Sequence, residues 1–325
     1  LKSKNENIAQ EMCKVINNDQ NIRQLIEIHN RPYLVNKIYS KIKNTNLITL
    51  FLHNDPLEMK GSFSINDREK LLLRLDKIFC VSNYIKKRFL DGIRYDRDKV
   101  VVLHNGVIRT QKIMPKKLKQ IIYVGRIVKE KGVDLFVDAI KEIHEDFKDW
   151  NFKIIGSPKL GINKLDEFAI KIKKDFESLG KRAKMTGFIN SKKLNKIMSD
   201  TSVIVIPSVW NEPFGLVAAE AMSNGLPVIT TNWSGHLEFL KKDYFYPVDY
   251  DLVQLPQSKI DGRIFVENTR WAEPIKSSFI DQVNKVYNNH KDAKDKAKKM
   301  KKDIVLNFNA AAINQKYDKV LQEMF

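Results

Sequence analysis

Val203-Ile204-Val205-Ile206-Pro207-Ser208-Val209-Trp210-Asn211-Glu212-Pro213-Phe214-Gly215-Leu216-Val217-Ala218-Ala219-Glu220-Ala221-Met222 reads as a strand, a turn and a helix in immediate succession. Residues 203–207 are apolar without alternation, as in a parallel strand covered on both faces. Pro213 and Gly215 favour a tight turn, and residues 216–222 are strong helix formers. A second apolar run at 227–231 returns as the next strand and completes a βαβ unit.

The same alternation extends in both directions. Upstream, strands are expected at 24–29, 47–53, 77–82 and 99–103, with helices at 33–43, 66–75 and 83–90. Residues 106–119 have little periodicity and contain Pro115 and several lysines, so they read as a linker. Beyond it, strands are expected at 120–125, 151–156, 183–186, 203–207 and 227–231. Helices are expected between them at 133–147, 163–179, 191–199 and 216–224. Residues 249–273 read as irregular, and helices at 275–289, 292–307 and 310–325 close the chain. The expected class is α/β, with two doubly wound Rossmann-like domains facing across a cleft. Their expected limits are 1–113 and 114–308, with the helix of 309–325 packing back towards the first domain.

Composition narrows the classes. The 325 residues are 43% hydrophobic and 30% charged, which excludes intrinsic disorder. No apolar run approaches the roughly 18 residues of a membrane-spanning helix. Two cysteines cannot form a disulfide framework, so a reducing, cytoplasmic setting is expected. The chain opens Leu1-Lys2-Ser3-Lys4-Asn5, without Met or a signal-peptide pattern, and reads as a truncated start. The formal charge is +18, and residues 1–113 carry 21 basic against 12 acidic side chains, about twice the positive density of the remainder. An anionic membrane face, an anionic substrate and nucleic acid are the partners such a charge admits. Lys86, Lys87, Arg88, Arg94 and Arg97 form the local cluster expected to dock on an anionic inner membrane face.

In open α/β sheets, ligands gather beyond the carboxyl ends of the strands. His29 and Asn30, His53 and Asn54, Gly125 and Arg126, Gly156, Phe188 and Glu212 all follow expected strands closely. The helix starting near Leu216 presents the amides of Phe214, Gly215 and Leu216, a natural place for a diphosphate. A carboxylate just ahead of an anion site repels phosphate, so Glu212 is expected to face neutral hydroxyls. Glu220, inside the helix, can accept from two vicinal hydroxyls such as a ribose offers; the alternative is a solvated helix carboxylate. Taken singly, Arg126 and Lys131 read as surface charges; together with the Glu212–Glu220 segment they suggest a site, and His53, which ends a strand, is the leading candidate of the first domain, with a structural strand cap as the alternative.

Glu212 and Glu220, with Pro213-Phe214-Gly215 between them, resemble the E-x7-E signature of retaining, nucleotide-sugar-dependent glycosyltransferases of family 4, which have the GT-B fold. The segment Gly125-Arg126-Ile127-Val128-Lys129-Glu130-Lys131-Gly132 is similar to that family's GR(L/I)xxEKG segment. His104-Asn105-Gly106-Val107 and residues 218–229 add to the resemblance, which runs from about residue 24 to the end. The resemblance implies that Arg126 and Lys131 hold the diphosphate of a UDP- or GDP-type donor and offset leaving-group charge without a metal or other cofactor. It places Glu212 on the sugar, Glu220 on the ribose and His53 against the transferring sugar. Gly125, Gly156, Phe188, Phe214, Gly215 and Leu216 would complete the donor site, with His29, Asn30 and Asn54 on the acceptor side. The implied reaction is transfer of a hexose-type sugar to a saccharide or lipid-linked saccharide in envelope polysaccharide or glycolipid synthesis. Family members begin with a strand and a Gly-rich loop, and roughly 60 residues of such material have no counterpart ahead of Leu1.

Other chemistries find little support. Asp96-Arg97-Asp98 and Asp249-Tyr250-Asp251 match a metal-binding D-x-D in letters only, and the six histidines are not spaced as metal ligands. No phosphate-binding P-loop or G-x-G-x-x-G is present. A nucleic-acid-binding protein would explain the charge but not carboxylates beside an anion site. A sugar phosphorylase or epimerase of the same fold remains a rival reading.

Overall fold

A computed structural model describes residues 4–18, 22–42, 45–107, 117–159, 161–241, 243–255, 257, 260 and 269–325. Two compact units emerge. One comprises Leu1–Asn105, Leu255–Thr269 and Asn314–Phe325; the other comprises Gly106–Gln254 and Arg270–Ile313. Most of the linker expected at 106–119, residues 108–116, lies outside the described residues.

The first unit runs α1 (Lys4–Asn18), β1 (Leu25–His29), α2 (Pro32–Ile38), β2 (Leu47–Leu52), α3 (Ile65–Arg74), β3 (Lys77–Cys80), α4 (Asn83–Phe89) and β4 (Val100–Val102). Its four strands lie parallel in the order β1-β2-β3-β4. Side-chain caps set the helix starts. Ser64 and Asp67 form a reciprocal capping box on α3, and the Ser82 side chain accepts from the amide of Ile85 on α4. The first helix, α1, was not among the sequence expectations. Its stretch is mostly polar, and its buried contacts are small residues, Ala9 and Cys13.

The second unit runs β5 (Leu118–Val124), α5 (Val133–Ile143), β6 (Asn151–Ile155), α6 (Glu167–Glu177), β7 (Ala183–Met185), α7 (Ser191–Asp200), β8 (Thr201–Ile206), α8 (Leu216–Ser223) and β9 (Val228–Thr231). It continues with β10 (Tyr246–Val248), β11 (Tyr250–Gln254), β12 (Arg270–Pro274), α9 (Lys276–Asn288) and α10 (His290–Asn307), and α11 (Ala310–Gln322) straddles the boundary of the two units. Six parallel strands follow the order β10-β9-β8-β5-β6-β7. The chain moves outward from β5 through β6 to β7, then restarts on the other side at β8. The strand order therefore reverses between β5 and β8, the position at which such sheets bind ligands.

Strand β8 is buried at every position, which explains its unbroken apolar sequence. Helix α5 buries Val133, Phe136, Val137, Ile140 and Ile143, a helical stripe, against Tyr123, Phe152 and Phe176. Each fully buried Phe or Ile contributes about 1.5–3 kcal/mol relative to exposure. The stretch expected to be irregular, 249–273, instead contains the antiparallel pair β11–β12, with Tyr250 opposite Pro274 and Gln254 opposite Arg270. These strands are five residues each and their burial does not alternate cleanly, so no period of two marks them. No helix among the described residues is long and apolar enough to cross a membrane.

Candidate active site

The reversal between β5 and β8 is knitted together by close backbone approaches. Gly132, at φ +66°, has its Cα so near the carbonyl of Pro207 that a Cβ would sit 1.8 Å from that oxygen. Only glycine fits there. Gly156, at φ +145°, presses on Gly125 in the same way, and its amide bonds the carbonyl of Gly187 at 3.0 Å. The hydroxyl of buried Tyr123 donates to the carbonyl of Arg126 at 2.8 Å and so fixes the turn after β5. The main-chain carbonyl of Glu130 accepts from the amides of Val209 and Trp210 at 3.2 and 3.0 Å, tying the loop after β5 to the loop after β8.

This places three sequence-selected side chains in one neighbourhood. Arg126 and Lys131 both lie over the Trp210 ring, 5.8 and 5.3 Å from its centroid. Lys131 also forms an ion pair with Oε1 of Glu212, an oxygen that accepts from Ser208 Oγ at 2.8 Å. Burial pushes the Glu212 carboxyl up, but the Lys131 charge and the hydrogen bonds from Lys131 and Ser208 outweigh it and hold the group below its ordinary range. The sequence reading had Lys131 facing only a ligand phosphate; its partner in the structure is the site's own carboxylate. Arg126 is exposed and, among the described residues, pairs with no carboxylate.

Helix α8 starts from Gly215, at φ +82°. Its first intrahelical bond is from Ala218 to the carbonyl of Gly215, so the amides of Leu216 and Val217 precede the hydrogen-bonded ladder. The Phe214 ring is buried against Phe239 and Phe308. Glu220 lies one turn into α8, partly buried. Among the described residues its carboxylate has neither donor nor cation, and burial raises its pKa. Phe188 is more distant in the topology, after the edge strand β7, where its amide donates to Asn163 Oδ1 at 2.6 Å.

The sequence reading missed a third loop, Ser234-Gly235-His236 after β9. Gly235 donates to the carbonyl of Glu212 at 2.8 Å, and a Cβ on it would lie 2.0 Å from the carbonyl oxygen of Pro213. His236 is fully buried beside Gly215 and donates from Nε2 to the carbonyl of Thr231 at 2.6 Å. Burial lowers its pKa. This loop is a clamp on the Glu212–Gly215 turn. The rule that selected the other residues, a polar group just after a strand, applies here too and would have found it.

In the first unit, β1 and β2 pair with His29 opposite Phe51. Asn30, at φ +56°, accepts at Oδ1 from the amides of His53 and Asn54 at 3.2 and 3.1 Å. His29 Nδ1 and His53 Nε2 are 3.2 Å apart. Burial and then the His29 charge lower the pKa of His53. All four residues selected in this half thus converge on the carboxyl ends of two neighbouring strands. The buried Asp55 carboxylate binds Arg88 at 2.7 Å. Arg88 is therefore withdrawn from the exposed basic cluster in which the sequence reading had placed it. No group of three or more His, Cys, Asp or Glu among the described residues is arranged to hold a metal ion.

Comparison with known proteins adds to this geometry. Residues 106–251 match the family described as glycosyl transferases group 1. An uncharacterized glycosyltransferase of Methanocaldococcus jannaschii is 34% identical over 170 residues, 52% of this chain and 44% of that protein. The spore coat protein SA of Bacillus subtilis is 27% identical over 240 residues, 67% of this chain and 62% of that protein. The chain thus spans about half the length of the curated relatives it matches. Among solved structures, Anabaena HepE in complex with UDP and glucose superimposes with a TM-score of 0.69 at 15% identity, covering 98% of this chain and 83% of that one. By fold this is a GT-B chain, and its residues 106–251 are similar to the glycosyl transferases group 1 family.

Proposed function

We propose that the chain is a retaining, metal-independent glycosyltransferase, moving a hexose-type sugar from a nucleotide-diphosphate donor to a saccharide or lipid-linked saccharide in envelope polysaccharide or glycolipid synthesis. The observation that carries this reading is the gathering of Arg126 and Lys131 over Trp210 at the β5/β8 reversal, with the Glu220 carboxylate in α8, unpartnered among the described residues. Two cations and a helix start suit a diphosphate; a carboxylate without a donor suits the vicinal hydroxyls of a ribose. UDP is the favoured nucleotide, since HepE was solved with it, and GDP is the other candidate.

In this reading the donor's diphosphate sits on Arg126, Lys131 and the amides of Phe214–Leu216. Gly125 and Gly156 leave room for its backbone approach, and Phe188 borders the base. Glu212, held anionic by Lys131, accepts from sugar hydroxyls. As the glycosidic C–O bond breaks, charge develops on the phosphate oxygen, and the two cations offset it where a divalent metal would otherwise be required. The acceptor oxygen attacks from the same face, and its proton passes to the leaving phosphate. His53, with His29, Asn30 and Asn54, belongs to the side that meets the sugar and the acceptor.

The basic residues of the first unit support peripheral docking on an anionic cytoplasmic membrane face, with Lys87, Arg94 and Arg97 exposed around one cavity. Incubation with a panel of UDP- and GDP-sugars, with and without saccharide and lipid-linked acceptors, tests the function. Acceptor-dependent release of the nucleotide is expected; phosphate-dependent turnover or sugar interconversion without acceptor would favour the phosphorylase or epimerase reading.

A further inference from the structure

The ring geometry at the ends of β1 and β2 is more specific than two neighbouring histidines require. The planes of His29 and His53 differ by 12° and their centroids are 5.5 Å apart, about as far as a 3.2 Å contact between ring nitrogens permits. The rings therefore meet edge to edge, with one nitrogen lone pair aimed along the other's N–H. His29 also lies flat on Phe51, at 4.4 Å and 8°, and Phe51 lies on Phe79 at 4.6 Å. Tyr317 of α11 meets both phenyl rings on edge and donates to Glu27. The backbone of His53 is held independently, by Asn30 at its own amide and by the Asp55–Arg88 pair two residues on.

A ring that must orient a sugar hydroxyl needs a defined rotamer and a defined tautomer. The contact with His29 holds the rotamer and ties the tautomer of each ring to that of the other, because it occupies Nε2 of His53 and leaves Nδ1 as the nitrogen a ligand meets. Resting on the assignment of His53 to the sugar side, we propose that His29 is a positioning residue, which shares one proton with His53 and presents the Nδ1 edge of that ring to a hydroxyl of the saccharide. Between the two facing nitrogens there is room for a single proton. The other ionisable groups nearby are largely engaged. Glu27 on β1 is bonded by Tyr317 of α11, and Asp55 after β2 by Arg88 of α4. Arg31, ahead of α2, is exposed, and His104 follows β4, two strands from β2.

Two substitutions separate positioning from mere packing. His29→Asn keeps an amide near the place of Nδ1 but carries no charge, whereas His29→Phe keeps the stack on Phe51 and loses the hydrogen bond. In the intact chain, nitrogen-15 NMR of the imidazoles should show His53 in one tautomer, with Nε2 in a hydrogen bond. Its titration should move to higher pH in both variants, because the neighbouring charge is gone. For turnover, His29→Phe should lower kcat about tenfold, the order of one hydrogen bond to a group that takes charge, with donor KM unchanged. The acid limb should shift upward, and His29→Asn should recover most of the rate. A His53 ring that averages between tautomers in the unsubstituted protein would overturn the proposal. So would a His29→Phe variant with the original rate and acid limb. Absence of turnover with every nucleotide sugar would instead contradict the proposed function, and the NMR result would still decide the pair.

Discussion

Lys131 and Glu212, 81 residues apart in sequence, are joined as an ion pair at the carboxyl ends of β5 and β8, with side chains 21% and 14% exposed. The pair fixes a carboxylate and an ammonium side by side before any ligand arrives. Removing the cation leaves a mostly buried carboxylate that, among the described residues, keeps the hydrogen bond from Ser208. Lys131→Met should therefore destabilise the chain by about 1–3 kcal/mol, below the loss at a fully buried pair because both groups keep some solvent. Lys131→Met combined with Glu212→Gln should recover much of it. Urea unfolding of the single and double variants gives the coupling directly.

The same pair makes stability depend on acid in a defined direction. Glu212 has a folded pKa below its ordinary value of 4.5, so its contribution is fully present above that pH. It is lost as pH falls through the lower, folded value. Lys131→Met removes the depressing charge, and the acid loss attributable to Glu212 should disappear. Unfolding midpoints measured between pH 7 and acid should converge for the two proteins at the acid end.

Glu220 has the opposite sign. Its folded pKa is raised by burial alone, so the ionised carboxylate costs stability at neutral pH, and that cost is relieved as pH falls through the folded value. Glu220→Gln should leave the unliganded chain as stable or slightly more stable at pH 7. It should weaken nucleotide binding by about 1.5–3 kcal/mol, the worth of hydrogen bonds to a charged acceptor. Thermal unfolding and calorimetry on one preparation should show the two effects with opposite direction.

Gly235→Ala probes the clamp on the Glu212 turn. The added methyl would meet the Pro213 carbonyl at 2.0 Å, so one of the two loops must move. A loss of about 1–3 kcal/mol in urea unfolding is expected, with weaker nucleotide binding.

The basic surface of the first unit divides into two kinds of residue. Charge reversal at Lys87 and Arg94 should reduce binding to anionic vesicles by about 1 kcal/mol per side chain without affecting stability. Arg88→Glu should instead destabilise the fold, because it leaves the buried Asp55 without its partner. Vesicle co-sedimentation and unfolding curves, run on each variant, separate the two effects.

Much of this was legible in the sequence because parallel strands covered on both faces carry a strong signal. The runs Ile121–Val124 and Val203–Ile206 are apolar throughout and appear as neighbouring strands β5 and β8. Glycine and proline marked the turns at Gly132, Pro213 and Gly215, where the backbone is either left-handed or crowded. What the sequence did not reveal depends on distant partners. The ladder of β11 and β12 joins residues some twenty positions apart, and the Lys131–Glu212 pair becomes visible only once β5 and β8 are neighbours. Arg88 had the same letter as its exposed neighbours, and only the fold showed Asp55 beneath it. Helix α1 lacked a continuous apolar stripe because small residues make its buried contacts.

In the proposed function a nucleotide diphosphate binds where β5 and β8 diverge, held by Arg126, Lys131 and Glu220. Calorimetric titration of the chain with UDP and GDP, repeated on Arg126→Ala and Glu220→Gln, tests it most directly. Saturable binding of one of the two nucleotides is expected, weakened at least tenfold by each substitution, or about 1.4 kcal/mol. Binding of neither nucleotide, or binding that both substitutions leave unchanged, would contradict it.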